Sequence, residues 1–272
     1  MWQRVFLLFA MLAVVTGAPA QSIHFTQVPK DVVEQRLHEV KKDNVEREAT
    51  LKRMLAEAGC DPAALTELPV KHEKIPNVVC IMKGSSDSVI LVGAHSDHVK
   101  NGEGAADNWS GAAMLPSLLQ SLLKTPRKHT YVFIGFTAEE KGLVGSDAYT
   151  HDLSKEDRAK ILAMVDIDTL GLSPTKVWAS RADKKLLGEL MRVATSMKLP
   201  LQAMNADQVG AADSFSFDKY KIPTIAIHSI TQQTFSILHS DKDTLAAVHM
   251  DEYYDTYRLL AVYLADLDNV LP

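Results

Sequence analysis

Apolar residues recur at helical spacing in several stretches of the chain. Between residues 31 and 58 they stand every three or four positions among charged residues, which predicts one or two amphipathic helices that stop at Gly59. The same pattern predicts three further helices, over residues 110–123, 184–197 and 251–267. Ser110 is the expected N-cap of the first of these.

Between these segments lie short apolar runs that are typical of strands. They cover residues 77–83, 88–93, 131–136, 161–167 and 224–228. The polar segment Gly84–Asp87 separates the first two runs and predicts a hairpin. Because strands alternate with helices and two strands are almost wholly apolar, we expect a sheet covered on both faces. The predicted fold is α/β, a single-domain three-layer α/β/α sandwich with a mixed, mostly parallel sheet, over residues 21–272.

The first 20 residues have a different character. A weakly basic start leads into an apolar run over residues 5–15, and Ala18-Pro19-Ala20 has the small-x-small form of a signal-peptidase site. A membrane anchor is the alternative, but the run is short for a bilayer span. We therefore predict a signal peptide over residues 1–20, a secreted or periplasmic location, and no membrane attachment after cleavage.

Composition excludes some classes of protein. The 272 residues are 46% hydrophobic and 23% charged with a net charge of -5, which is typical of a soluble globular protein and argues against a nucleic-acid partner. Cys60 and Cys80 are the two cysteines. Export allows them to form a disulfide, while two buried thiols remain the alternative. The oligomeric state is left open.

Side chains that bind metals follow several of the predicted strands. His95 comes directly after the run that ends at Gly93, Asp97 stands two residues later, and Asp107 follows a glycine-containing loop. Open α/β sheets place their ligands at this end of the strands, and imidazole and carboxylate are ligands that zinc favours. Taken alone, a capped turn would explain His95 and Asp97 equally well, and helix capping would explain Asp107.

Further along the chain, more carboxylates occupy equivalent positions. Glu139 and Glu140 follow the strand that ends at Phe136, where adjacent acids repel each other unless cations neutralise them. Asp166 and Asp168 lie in or after a buried strand, which indicates that one of them reaches a charged site. His239 follows the last predicted strand. An exposed loop is the alternative for the glutamates, but the conjunction of these loops favours a metal-dependent hydrolase.

Five sequence blocks together resemble the secreted di-zinc aminopeptidases, whose peptidase family also contains the glutaminyl cyclases. The resemblance runs from about Asn77 to the C-terminus. The blocks are His95-Ser96-Asp97, Asp107-Asn108-Trp109-Ser110-Gly111, Glu139-Glu140-Lys141-Gly142-Leu143-Val144-Gly145-Ser146, Asp168-Thr169-Leu170-Gly171 and His239-Ser240-Asp241-Lys242-Asp243-Thr244. All five occur in the order expected for that family.

The resemblance implies two zinc ions as cofactors. His95 and Asp168 would bind one ion and Glu140 and His239 the other, while Asp107 would bridge the pair. Asp168 is preferred to its neighbour two residues earlier because Asp-Thr-Leu-Gly matches the family's Asp-Met-Ile-Gly. The bond between Asp107 and the next residue would be a cis peptide, as in relatives.

The resemblance also implies two catalytic roles. Asp97 would orient His95, and Glu139 would be the general base that takes a proton from a metal-bridged water and gives it to the leaving amine.

The sequence departs from the pattern of this family at two places. Ala106 replaces a further Asp of many relatives, and the segment Gln208–Ser214 lacks a Tyr that helps some relatives to stabilise the oxyanion.

The predicted function is therefore a zinc-dependent exopeptidase, an aminopeptidase that acts on peptide substrates with a free N-terminus. Glu139 and Asp107 are the nearest negative groups for the substrate amine, another loop such as the segment Asp213–Phe217 is the alternative, and the amine partner is left unassigned. A carboxypeptidase or dipeptidase would share the metal ligands. A glutaminyl cyclase, which is a mono-zinc acyltransferase, and a catalytically inactive peptide-binding relative also stay open. The blocks around Asp107 and Glu139 favour the peptidase branch.

Overall fold

The computed structural model describes residues 23–205 and 210–272, so the predicted signal peptide lies outside the described residues. Eight strands form one mixed sheet in the order β1-β2-β4-β3-β5-β8-β6-β7. The strands are β1 (Leu65–Leu68), β2 (Asn77–Met82), β3 (Val89–His95), β4 (Thr130–Phe136), β5 (Ile161–Ile167), β6 (Lys176–Val177), β7 (Gln202–Ala203) and β8 (Thr224–His228). The central strands β4, β3, β5 and β8 run parallel to one another.

Helices cover both faces of this sheet. They are α1 (Lys30–Leu37), α2 (Asn44–Glu57), α3 (Ser110–Leu122), α4 (Val144–Asp152), α5 (Lys155–Lys160), α6 (Lys184–Met197), α7 (Ser214–Asp218) and α8 (Met250–Val270). Along β3, Ile90 and Val92 belong to the core under α1, α2, α3 and α8, whereas Leu91 belongs to a second core with Phe217. This alternation confirms the predicted three-layer α/β/α sandwich.

The predicted hairpin at Gly84–Asp87 is wrong. Strands β2 and β3 do not pair, because β4 lies between them and is antiparallel to β2 and parallel to β3. The connecting segment instead bonds to the residues that precede β4, with the N–H groups of Ser85 and Ser86 donating to the carbonyls of Arg127 and Lys128. The polar segment does turn the chain, but its pairing partner comes from more distant sequence.

Two smaller expectations are also resolved. Ser110 is the first residue of α3 and does not cap it; its hydroxyl donates to the carbonyl of Ala106 and accepts from the N–H of Leu170. Cys60 and Cys80 form a disulfide that joins a residue just beyond α2 to β2.

Among the described helices, none combines the length and hydropathy needed to cross a membrane.

The parallel strands bring their carboxyl ends to one edge of the sheet. Strand β3 ends at His95, which pairs in register with Phe136 at the end of β4, and Asp166 near the end of β5 pairs with Gly93. Residues that directly follow these strands must therefore lie near one another. This edge carries the candidate site.

Candidate metal centre

Five loops and strand ends deliver the candidate ligands to this edge. His95 is the last residue of β3, and Asp168 directly follows β5. Glu140 lies in a short turn after β4, Asp107 lies in an irregular turn just before α3, and His239 comes from the long loop after β8. The structure brings all five predicted ligands together, although they are spread over 145 positions of the chain, from residue 95 to residue 239.

Distances divide the five side chains into two halves around Asp107. Oδ1 of Asp107 lies 3.4 Å from Nε2 of His95, which is itself 3.5 Å from Oδ1 of Asp168. Oδ2 of Asp107 lies 3.2 Å from Nε2 of His239, which is 2.9 Å from Oε2 of Glu140. Each carboxylate oxygen of Asp107 therefore faces a different histidine, and each half contains one imidazole and two carboxylate oxygens.

Asp97 anchors this arrangement, though not only in the way the sequence indicated. Nδ1 of His95 lies 3.1 Å from the backbone carbonyl of Asp97 and 3.7 Å from its carboxylate. The carboxylate oxygens instead accept from the backbone N–H groups of Glu139 (3.1 Å) and Glu140 (3.3 Å). Asp97 thus orients the imidazole mainly through its backbone and holds the turn of the two glutamates with its side chain.

The turn that carries Asp107 is fixed by two buried polar side chains. Asp243 accepts from the N–H groups of Ala106 (2.7 Å) and Asp107 (3.1 Å). Asn108 donates to the carbonyl of Ile167 at the end of β5 and accepts from the N–H of Thr169. The Asp107–Asn108 peptide bond is cis, as the resemblance implied. The bonds of Asn108 tie Asp107 directly to the segment that carries Asp168.

Several residues beside the ligands adopt a backbone conformation that L-residues avoid. Positive φ values occur at Ala138 (54°) before the glutamate pair, at Thr169 (56°) after Asp168, and at His239 itself (57°). Such conformations each cost about 1–3 kcal/mol, persist only where the surroundings enforce them, and cluster at functional sites. Their positions here coincide with the loops that deliver ligands.

Electrostatics in the site are dominated by burial and by close opposite charges. Burial opposes the charged form of His95, yet Glu139, Asp107 and Asp168 raise its pKa well above the usual value. The hydrogen bond to Asp107 raises the pKa of His239 to about 9. Burial acts against ionisation of Asp107, but its two histidine partners hold the pKa of that carboxyl below the usual range.

The carboxyl groups of the two adjacent glutamates have raised pKa values, in contrast to that of Asp107. Burial and the neighbouring carboxylates raise the pKa of Glu139 to about 8, with His95 opposing the shift, and burial and Asp107 raise the pKa of Glu140 to about 7. Two acids held in this way resist ionisation unless further positive charge enters the site. Glu140 contributes to the raised pKa of Glu139, whereas the carboxylates that raise the pKa of Glu140 are those of Asp107 and Asp97.

The residues present fit a metal centre. One ligand atom from each of His95, Asp107 and Glu140 lies within 4.8 Å of the others. Oε1 of Glu140 is buried without a hydrogen-bond partner among the described residues, so this carboxylate keeps an acceptor to which nothing donates. Imidazole nitrogens and carboxylate oxygens at this spacing form a donor set that suits zinc.

Two other buried acids lie outside this donor set. Asp166 accepts from the backbone N–H of Ser214 and is 1% exposed, which agrees with the preference for Asp168 as the ligand. Asp213 is 2% exposed and does not line the cavity. No carboxylate of the segment 213–217 lines the cavity, so this alternative source of an amine partner is not supported.

A cavity of about 540 Å³ opens in front of the ligands. Glu139, with its carboxylate 3.9 Å from Nε2 of His95, lies in its wall. Apolar side chains form much of the remainder, including Leu143, Trp178, Ile230, Phe235 and Leu238. The stretch 206–209, which includes the start of the segment without the relatives' Tyr, lies outside the described residues.

Sequence reasoning missed three supporting residues. Asn108 and Asp243 stood inside the recognised blocks, but their hydrogen bonds to distant backbone could not be read from spacing. Arg47 lies in α2, is fully buried, and bonds to the residue that follows His95. Its signal was available, because Arg47 shares a helical face with the apolar residues Leu51 and Leu55 and therefore points towards the core.

Comparison with known proteins agrees with this geometry. The model of the family described as peptidase family M28 matches residues 77–264. Aminopeptidase Y of Saccharomyces cerevisiae is 34% identical over 102 residues, which are 37% of this chain and 19% of the yeast protein. The matched segment thus spans about a fifth of the curated relatives.

Solved structures share the fold. Legionella pneumophila LapA is similar with a TM-score of 0.76 at 21% identity over 88% of this chain and 73% of its own. A zinc aminopeptidase from Bacillus subtilis has a TM-score of 0.65 at 21% identity over 71% of this chain and 50% of its own. An Acidobacteriales bacterium glutaminyl cyclase has a TM-score of 0.71 at 17% identity over 96% and 99%.

The family match covers most of the chain and includes all five candidate ligands and Glu139. The α/β/α fold and the convergence of these side chains on one edge of the sheet were established without it. Together these observations show that the chain belongs to peptidase family M28.

Proposed function

We propose that this chain is a zinc-dependent aminopeptidase that holds two zinc ions. The observation that carries the proposal is the placement of Asp107, whose two oxygens face the two histidines at 3.4 and 3.2 Å. A carboxylate that contacts two separate donor sets is suited to bridge two cations. The aminopeptidase names of the relatives support the same proposal, and so does the likeness to a zinc aminopeptidase from Bacillus subtilis.

In this proposal, His95 and Asp168 would hold one ion, Glu140 and His239 would hold the other, and Asp107 would contribute to both. Two zinc ions in such a site would polarise the scissile carbonyl and make water a stronger nucleophile at neutral pH. They would also supply the positive charge that the paired glutamates require.

Glu139 is the general base of this proposal. It lines the cavity, is 13% exposed at its side chain, and lies beside the ligands. It can take a proton from the attacking water and pass that proton to the leaving amine nitrogen, which typically contributes about 10²–10⁴-fold to the rate. The turn held by Asp97 keeps the carboxylate of Glu139 in the wall of the cavity.

The cavity supports a substrate with a free amino group and an uncharged first side chain. Among the carboxylates that line the cavity, Asp168 (20%) and Glu139 (13%) are the most exposed, and these are the available partners for an ammonium group. The remaining described walls are apolar apart from groups such as His228, whose pKa is lowered by burial. An apolar side chain such as that of leucine would bury surface against these walls.

We further propose that the domain over residues 21–272 is exported by means of the signal sequence over residues 1–20 and acts as a secreted or periplasmic enzyme. The proposal is supported by the apolar run and small-x-small site of the sequence and by a disulfide between Cys60 and Cys80, since disulfides persist in oxidising compartments.

A second candidate is glutaminyl cyclase activity. It is favoured by the Acidobacteriales glutaminyl cyclase structure, which the chain matches over nearly its whole length. Against it stands the second donor set of Glu140 and His239, which one metal would not need.

The test uses the zinc-loaded chain with leucine p-nitroanilide, its N-acetylated form, and a peptide with N-terminal glutamine. We expect cleavage of the free-amine anilide, at least about tenfold slower cleavage of the acetylated one, and simple hydrolysis of the glutamine peptide. Glu139→Gln is the inactive control. Equal rates on both anilides would contradict the aminopeptidase, and loss of ammonia from the glutamine peptide without hydrolysis would favour the cyclase.

A further inference from the structure

Arg47 is an ionised side chain buried under the metal centre. It lies one turn into α2 and is 0% exposed. Burying a charge is costly unless the group is fully hydrogen-bonded. Within the described residues no carboxylate forms an ion pair with Arg47. A salt bridge therefore does not explain why a charged side chain is buried here. Burial lowers its pKa only to about 10, with Asp97, Asp243 and Asp107 favouring the charged form, so it is protonated at neutral pH.

The N–H groups of Arg47 donate hydrogen bonds to backbone carbonyls of three separate segments. Nε donates to Ser96 at 2.5 Å, Nη1 to Glu103 at 3.0 Å and to Lys41 at 3.2 Å, and Nη2 to Gly104 at 3.0 Å. The guanidinium therefore satisfies four carbonyls at once. A planar fork with donors in fixed directions can do this, whereas the ammonium group of lysine cannot reach in all these directions.

Two of these segments carry metal ligands. Ser96 directly follows His95, and Gly104 opens the turn that contains Asp107. Gly104 has a φ of 58°, and a Cβ added there would lie 2.4 Å from the Cβ of His98, so the turn needs glycine at this point. The central carbon of the guanidinium also lies 5.2 Å from the ring centre of Trp109, which ends the same turn.

We propose that Arg47 is a positioning residue for the metal centre: its guanidinium fixes the loop after His95 against the turn of Asp107 and so sets the spacing of those two ligands. The proposal rests on the zinc site of the proposed function. It does not require that Arg47 contact the metals or the substrate. Substitution of a residue that holds the ligands in place, rather than of a ligand itself, typically weakens metal binding by about 10–100-fold.

The experiment compares Arg47→Lys and Arg47→Met with Arg36→Lys in the full chain. Arg36 is a matched control, because its partly buried side chain joins two helices through Ser117 and Gln120. Its one contact with the Asp107 turn is made by its backbone carbonyl, which accepts from the indole N–H of Trp109 and is unchanged in Arg36→Lys. Zinc affinity is measured by competition with a chromophoric chelator, alongside thermal unfolding of each variant without added zinc. Both Arg47 variants are expected to bind zinc about 10–100-fold more weakly, and Arg36→Lys is expected to stay within about twofold of the wild type.

Retention of wild-type zinc affinity in Arg47→Lys would overturn the proposal, and so would an equal loss in Arg36→Lys at the same loss of thermal stability. If neither Arg47 variant folds, Trp109→Phe is the second variant, with a weaker zinc affinity expected and an unchanged one contradicting the proposal. A wild-type chain that binds zinc without cleaving peptides would overturn the proposed activity alone, because the comparison of affinities does not depend on turnover.

Discussion

The two halves of the metal centre are built very differently. His95 ends a central strand, its side chain is 3% exposed, and Asp97 and the residues bonded to Arg47 fix it from behind. His239 comes from a long loop, its side chain is 57% exposed, and its backbone has a φ of 57°. In the described structure its imidazole contacts only the carboxylates of Asp107 and Glu140 within the centre.

This difference indicates that the half with His95 is formed by the core of the fold, whereas the half with His239 depends on an exposed loop. Buried, hydrogen-bonded ligands lose little freedom when a metal binds, whereas an exposed side chain must be ordered at that moment. We therefore expect the ion beside His95 and Asp168 to be held more tightly than the ion beside Glu140 and His239.

The largest effects are expected from the two histidines. His95→Ala removes a ligand from the preformed half and should abolish stable zinc binding, with kcat/KM falling by more than about 10³-fold, or about 4 kcal/mol. His239→Ala should retain one zinc ion and lose less activity. Metal analysis and steady-state kinetics measure both, with the exposed His151→Ala as the control. Equal zinc loss in the two variants would remove the distinction between the halves.

Glu139→Gln should separate catalysis from metal binding. The glutamine fills the same space beside His95 but cannot accept a proton from water, so kcat should fall by about 10²–10⁴-fold. Zinc content and the unfolding temperature should stay close to those of the wild type. A variant with unchanged kcat would show that the base lies elsewhere in the site.

Asp97→Asn should produce the smallest of the three effects. One oxygen still accepts a backbone N–H, but the new amide group opposes the other N–H of the Glu139–Glu140 turn. Zinc affinity is expected to fall by about 10–100-fold without loss of the fold. If competition with a chelator shows that Asp97→Asn has the zinc affinity of the wild type, the side chain of Asp97 does not contribute and His95 is held by the backbone carbonyl of Asp97 alone.

The convergence of the candidate ligands could be anticipated from sequence because each lies at the end of a strand or in a loop that follows one, within a short recognisable block. Strong local patterns also predicted three single helices and five strands closely, including Ile161–Ile167 and Lys184–Met197, and they placed α1 and α2 within one helical stretch. Short elements such as β6 and β7 carry too few residues for a pattern to emerge. The hairpin prediction failed for a related reason, because strand pairing depends on distant sequence that local turn signals do not report.

Supporting residues were harder to predict than ligands. Asp243 lies 136 and 137 positions from the N–H groups it accepts, and Arg47 lies 49 positions from Ser96. A charged residue in an amphipathic helix usually faces solvent, and the spacing of Arg47 from Leu51 is the local sign that this one does not. Only the folded structure shows which carbonyls Arg47 binds.

The central claim is that Asp107 joins two metal sites of unequal strength. The most direct measurement is the zinc content of the purified full chain after zinc loading, followed while a chelator is added in steps. We predict two zinc ions per chain, with one released at lower chelator concentration and that early step missing in His239→Ala. A content that stays near one after loading, unchanged in His239→Ala, would contradict this claim.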